Sequence, residues 1–261
     1  MKNKLILAFM ALISASSLAA AQDARTLWSD LPEVFQNEPG PRNGRGRGGQ
    51  VTEEWIAPEV KGSLSVFGRV SFLSNTDVTV DHLWYTDFFD PGFGVTVEAD
   101  LLTFPVPYWG VGGYISYNWD RFDGNRINFP NGDFVEADPM TLNSVFVGGK
   151  VLQRISPWVS WEGRIGLGLV TYSHVEWSGF DSNPLNPNPG PFSNEELFQR
   201  ITRGAFEIGG RIGAGSPNVQ AEFGFGVRIM GGASRGRDVN SNVDPDYLTT
   251  FMLELGLALR F

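Results

Sequence analysis

The segment from Leu253 to Phe261, LELGLALRF, decides how the rest of the chain is read. In an extended backbone, successive side chains point to opposite sides. Leu253, Leu255, Leu257, Leu259 and Phe261 therefore share one face, and Glu254, Gly256, Ala258 and Arg260 share the other. A helical period of 3.6 would scatter the leucines around the axis, so the segment is a strand, oily on one side and ending on an aromatic residue.

Working outward from this strand, the same period of two recurs in eight runs: Gly62 to Phe72, Gly92 to Thr103, Tyr108 to Trp119, Thr141 to Leu152, Trp158 to Tyr172, Gly204 to Ala214, Asn218 to Met230, and Leu248 to Phe261. Each reaches the roughly 9–11 residues that a tilted strand needs to cross a bilayer. The connections alternate in length. Phe104 to Pro107, Gln153 to Pro157 and Gly215 to Pro217 are tight, whereas Leu73 to Pro91, Asp120 to Met140, Ser173 to Arg203 and Gly231 to Tyr247 are long. Pro130, Asn131 and Gly132 form a hairpin-turn signal that extends the third and fourth strands past the membrane. With 32 glycines and 13% aromatic residues, the composition suits a turn-rich β protein.

The ionisable residues fall on one parity. Arg69 lies behind Leu64, Val66 and Val70; Glu98 and Asp100 lie behind Val95, Val97 and Leu101. Lys150 shares the inward parity of its strand with Phe146, and Glu162 and Arg164 lie behind Val159, Trp161, Ile165 and Leu167. Glu207 and Arg211, Glu222 and Arg228, and Glu254 and Arg260 complete the set. Six bases and six acids are thus assigned to one interior. A one-residue slip would turn them toward lipid, at roughly 2–4 kcal/mol for each midplane Lys or Arg, so the register is strongly specified. The same parity collects Gly94, Gly110, Gly112, Gly166, Gly168, Gly209, Gly224, Gly226 and Gly256, which leave room for long side chains to cross a narrow lumen. Alternating opposite charges would satisfy one another and fill that lumen; a selective pore would show one sign in excess.

Aromatic residues gather at the strand ends. Tyr108, Trp109, Trp158, Trp161 and Phe261 lie toward the short turns, and Tyr117, Trp119, Tyr172, Trp177, Tyr247 and Phe251 toward the long connections, as in interfacial girdles. A soluble barrel around a ligand cavity would also alternate. It would not need glycine on its polar face, connections of alternating length or a terminal phenylalanine.

The spacing Glu254, Gly256, Leu259, Phe261 resembles the terminal-strand assembly signal of Gram-negative outer-membrane barrels, and Gly62 to Phe261 resembles the small eight-stranded OmpA- or OmpX-like barrel class. The resemblance implies an all-β, antiparallel, up-and-down transmembrane barrel with long extracellular loops, short periplasmic turns and both barrel ends in the periplasm. It also implies insertion into the cell outer membrane by the barrel assembly machinery, among outer-membrane lipids and lipopolysaccharide. It carries no extracellular ligand with it.

Residues 1–21 read as a signal peptide: Lys2 and Lys4, an apolar run from Leu5 to Ile13, then small residues ending at Ala21. Cleavage would remove two lysines and no acid, taking the formal charge from −9 to −11, which argues against a nucleic-acid partner. Residues 22–61 read as a flexible periplasmic segment. Leu27, Trp28, Leu31, Val34 and Phe35 approach helical spacing against Pro32, and Arg42, Arg45 and Arg47 sit in a glycine-rich linker. No cysteine is present.

Little in the chain points to chemistry. His174 stands between Ser173 and Glu176, but adjacent Ser173 and His174 would point to opposite faces of a strand; His82 lies beside Asp81 with no hydroxyl nucleophile near it. Asp238, Asn240, Asn242 and Asp244 space like a calcium loop, yet Val243 and Thr249 stand where that loop needs glycine and glutamate. The expectation is a non-enzymatic surface or structural barrel with no cofactor and no metal. A narrow channel for small or hydrophobic solutes and a lipid A-modifying enzyme are the alternatives.

Overall fold

The structure is a computed structural model that describes residues 59–74, 76–78, 83–106, 108–182, 190–237 and 247–261. The chain divides into two units, 1–55 and 56–261, and the described residues belong to the second. The expected signal peptide, the 27–35 stretch of near-helical spacing, the linker as far as 58, His82 and the 238–244 loop lie outside the described residues.

Eight long strands close into a barrel: β1 (Glu59–Leu73), β2 (Gly92–Val106), β3 (Trp109–Phe122), β6 (Met140–Ser156), β7 (Val159–Tyr172), β10 (Ile201–Gly215), β11 (Val219–Gly231) and β13 (Tyr247–Arg260). Each pairs antiparallel with its neighbours in the order β1-β13-β11-β10-β7-β6-β3-β2, and β1 against β13 completes the ring. Closure removes every barrel edge, the condition for exposing strands to lipid. The eight expected runs map onto these strands with shifted ends. β1 starts at Glu59, so Glu59, Val60 and Lys61 belong to the barrel strand rather than to the segment before it; β3 continues through Phe122, and β10 begins at Ile201.

The register is the one the charge pattern requires. Arg69 faces Glu254 across β1 and β13, while Leu64 faces Leu259 and Val66 faces Leu257 on the other side. Leu167, Leu255 and Val147, among the most exposed large apolar residues, all lie on that outer side. Among the described residues no helix is long and apolar enough to cross a membrane. At a short connection Gly215 takes φ +145°, and a Cβ there would strike Gln220 and the Val219 backbone, so glycine is required.

The long connections hold structure of their own. β4 (Arg126–Asn128), β5 (Phe134–Ala137), β8 (Val175–Asp181), β9 (Gly190–Gln199) and β12 (Ser234–Arg235) form a second sheet in the order β12-β9-β8-β5-β4. The expected turn between β4 and β5 is present: Phe129 N–H donates to the Asp133 carbonyl and Gly132 takes φ +91°. β8 and β9 lie in the long connection between β7 and β10, and β12 in the one between β11 and β13, where the period of two gives no strand signal. Between β1 and β2 a single helical turn, α1 (Tyr85–Phe88), buries Tyr85 and Phe88 completely.

Two aromatic assignments are corrected. Trp109, Trp158, Trp161, Tyr117, Trp119, Tyr247, Phe251 and Phe261 are exposed on the wall as girdle residues should be. Tyr172 is buried, with its hydroxyl donating to the Gly231 carbonyl, and Trp177 lies in the outer sheet against Phe88 and Phe192. Both aromatics help build a core above the barrel, where there is no lipid for them to face.

Candidate functional site

Three layers fill the lumen. At the short-turn end Leu102, Phe104 and Leu152 form a small buried cluster. The middle is ionic. Lys150 Nζ donates to Glu98, reaches Asp100 Oδ2 at 2.6 Å and lies 3.3 Å from Glu162 Oε2. Arg164 donates to Glu98 at 2.6 Å and to Glu254 at 3.0 and 3.1 Å. Arg211 donates to Glu98 at 2.9 and 3.1 Å, to Glu162 at 3.0 Å and to Glu254 at 3.0 and 3.1 Å. Toward the long-connection end Arg228 reaches Glu207 at 2.8 Å, and toward the other end Arg260 reaches Glu222 at 2.9 Å. All twelve residues assigned to the interior are therefore ion-paired there.

One member was missed. Asp120, placed by sequence at the start of a loop, is buried and accepts from Arg69 at 2.6 and 2.8 Å and from Arg228 at 3.3 Å. Its signal was the alternation itself, which runs on through Trp119, Asp120, Arg121 and Phe122 as out, in, out, in. The network thus holds seven carboxylates against six cations.

Aromatic rings lie beside three of the arginines, a feature the charge pattern does not announce. The Arg211 guanidinium lies 3.8 Å from the Phe67 ring centroid, that of Arg228 4.7 Å from Phe146, and that of Arg164 5.9 Å from Tyr114. Each ring is seated on glycine. A Cβ on Gly256 would meet Phe67, one on Gly168 would meet Phe146, and one on Gly148 or Gly166 would meet Tyr114. Four lumen glycines make room for these rings, whereas Gly94 borders Asp120, Gly110 borders Phe104, and Gly209 and Gly224 border Arg164 and Arg211 respectively.

The third layer caps the barrel at the long-connection end. Tyr85, Phe88, Phe89, Phe122, Leu197 and Phe198 are buried in one apolar cluster, with Phe198 5.9 Å from Tyr85 and 6.3 Å from Phe89 between ring centroids. Burial pushes the Tyr85 phenol above its ordinary pKa. Outside, hydrogen bonds from Ser182 hold the exposed Asp133 carboxyl below the usual range.

Ser173 and His174 do not form a catalytic pair. Ser173 Oγ accepts from the Thr141 amide, while the His174 ring lies between Glu176 and Glu196, 3.1 Å from each. Serine and histidine are engaged apart. No group of three His, Cys, Asp or Glu among the described residues is placed to hold a metal ion.

An eight-stranded barrel with an apolar outer wall and an ionic interior is a transmembrane β-barrel; a water-soluble barrel requires the reverse. No protein-family model and no curated protein matches the chain. Similar solved structures include Ail, the attachment invasion locus protein of Yersinia pestis, at 15% identity over 78% of this chain and 99% of that one, with a TM-score of 0.41. Others are OprG from Pseudomonas aeruginosa, at 9% identity over 78% and 97% with a TM-score of 0.41, and the outer membrane protease OmpT from Escherichia coli, at 10% over 80% and 99% with a TM-score of 0.40. An attachment protein and a protease stand side by side in that set, so the likeness assigns neither activity.

Proposed function

We infer that the protein is a non-enzymatic outer-membrane surface protein: a sealed barrel that anchors a folded β-sheet outside the cell for contact with other molecules. The observation that carries this reading is the three-layer filling of the lumen, apolar at both ends and ion-paired between them. A filled barrel supplies rigidity and anchorage, and the five-stranded sheet supplies the surface. The assembly role of Glu254, Gly256, Leu259 and Phe261 and the lipopolysaccharide setting belong to the same reading. Planar-bilayer recording of the refolded protein tests it. The expected trace is flat at all holding potentials; steady single-channel steps would overturn the reading in favour of solute passage, and an altered lipid A mass spectrum on expression would overturn it in favour of an enzyme.

A further inference from the structure

The apolar belt on the outer wall opens near the long connections. Gly204 on β10 has an outward-facing open position, with no atom within 4 Å of where a Cβ would sit. Leu169 pairs with it on β7, and on β11 Gly231, which pairs with Tyr247, adds no side chain of its own, the Arg203 side chain lying 3.3 to 3.4 Å from where its Cβ would sit. The result is an open groove of about 490 Å³ walled by Leu167, Phe206, Ile229 and Tyr247. Gly231 ends β11 and Tyr247 begins β13, so the groove lies in the half of the wall nearest the long connections.

A hole in a wall that faces hydrocarbon cannot be filled by water without stranding that water's hydrogen bonds, and left open it forfeits dispersion contacts. Its natural filling is an acyl chain. Polar groups lie just above it: the exposed Thr171 and Thr202 hydroxyls are hydrogen-bonded at 2.9 Å. At the same corner, Arg200 is exposed between β9 and β10, and Arg235 is exposed on β12, whose Ser234 pairs with Gln199. On β9, Glu196 is engaged by His174 and by the Arg237 amide.

We propose that this groove binds one lipopolysaccharide molecule, an acyl chain lying over Gly204 and Gly231 and a lipid A phosphate against Arg200 and Arg235. The assignment rests on the outer-membrane reading, in which the long-connection side is the outer leaflet and the phosphates at that level belong to lipopolysaccharide. Charge complementarity selects a phosphorylated headgroup, and the groove selects a chain.

Gly149 provides an internal control. It too has nothing within 4 Å of its Cβ position and shares the outward parity of Val147 and Val151, but it lies in mid-wall opposite Gly113 with no basic rim. The full chain, wild type and as Gly204→Phe, Arg200→Glu/Arg235→Glu and Gly149→Phe, is purified from outer membranes, and retained lipid A and phospholipid are quantified by mass spectrometry. Heat-modifiable migration reports folding. Gly204→Phe and the arginine pair are each expected to lose retained lipid A about tenfold, with Gly149→Phe unchanged. Equal retention in all variants, loss in Gly149→Phe to the same degree, or retention of phospholipid in place of lipid A would each overturn the proposal. If Gly204→Phe does not fold, the arginine pair alone decides it. A wild-type chain that does not fold into lipopolysaccharide vesicles would instead sink the membrane reading on which the proposal rests.

Discussion

Replacing Glu254 with glutamine tests whether the lumen network is held by local pairing or by overall charge balance. Glu254 is 1% exposed and is reached by Arg164 and Arg211 at 3.0 to 3.1 Å, with Arg69 at 3.6 Å. Glutamine keeps one acceptor but turns an NH₂ group toward guanidiniums that can only donate. Breaking a buried ion pair costs roughly 3–5 kcal/mol. The lower end applies because Arg211 keeps Glu98 and Glu162 and Arg164 keeps Glu98, so the expected loss is about 3 kcal/mol. Glu222→Gln is the contrast: a glutamine oxygen can keep the single hydrogen bond that Glu222 takes, from Arg260 at the end of β13, and its NH₂ would replace an oxygen that has no hydrogen-bond partner, so about 1 kcal/mol or less is expected. Urea unfolding from lipid vesicles, followed by tryptophan fluorescence, gives both values. At a slope of about 2 kcal/mol/M the Glu254 variant should unfold roughly 1.5 M earlier, with the slope unchanged. Because carboxylates outnumber cations in the lumen by one, a rule of global balance predicts that either substitution helps. Equal midpoints for the two variants, or a stabilised Glu254→Gln, would refute the local reasoning.

Three further outcomes are expected. Gly166→Ala places a methyl group against the Tyr114 ring and hydroxyl and should cost about 1–3 kcal/mol, part of it recovered in Gly166→Ala/Tyr114→Phe; the unfolding temperature of the heat-modifiable form checks this, and no recovery would remove the idea that the glycine seats the ring. Phe198→Ala, made in the outer apolar layer, should cost about 3–5 kcal/mol and speed amide exchange in β8, β9 and α1 more than in the barrel, while leaving the bilayer trace flat because the ionic layer lies beneath it. Phe261→Ala should change stability in vitro by less than about 1 kcal/mol, since the exposed ring contributes little and the backbone bonds to Gly62 remain, yet reduce assembled protein in cells severalfold; equal loss in both settings would make Phe261 a structural residue rather than a signal.

The barrel was legible because lipid enforces alternation. Every outward residue of β13 from Leu253 to Leu259 must be apolar, and every lumen charge must then take the opposite parity, so two independent patterns fix one register. Past the membrane that constraint stops. β8, VEWSGFD, and β9, GPFSNEELFQ, pair with two register shifts, and one face of their sheet packs on an apolar cluster supplied by distant residues such as Tyr85 and Phe88. Neither strand shows clean alternation, since its inner side is set by tertiary contacts and its outer side only by water. Asp120 was lost at that same boundary. The seating of Phe67, Tyr114 and Phe146 on glycines needed the register before it could be seen, because each ring meets a glycine on another strand.

The same boundary shapes how the outer sheet can meet a partner. Its two edges are β4, of three residues, and β12, of two, and strands so short offer little backbone for another chain to pair with. At one edge Arg126 lies across the Phe134 ring at 3.7 Å, and Phe134 pairs with Phe180 on β8, which pairs with Pro191 on β9. On the surface-protein reading, recognition by this sheet would fall to side chains rather than to added strands. The composition of that row, two aromatic rings and an arginine on a rigid support, is the kind that dominates binding energy at protein interfaces. On the same reading the barrel supplies the rigid support, because its lumen is filled with charges that are already paired.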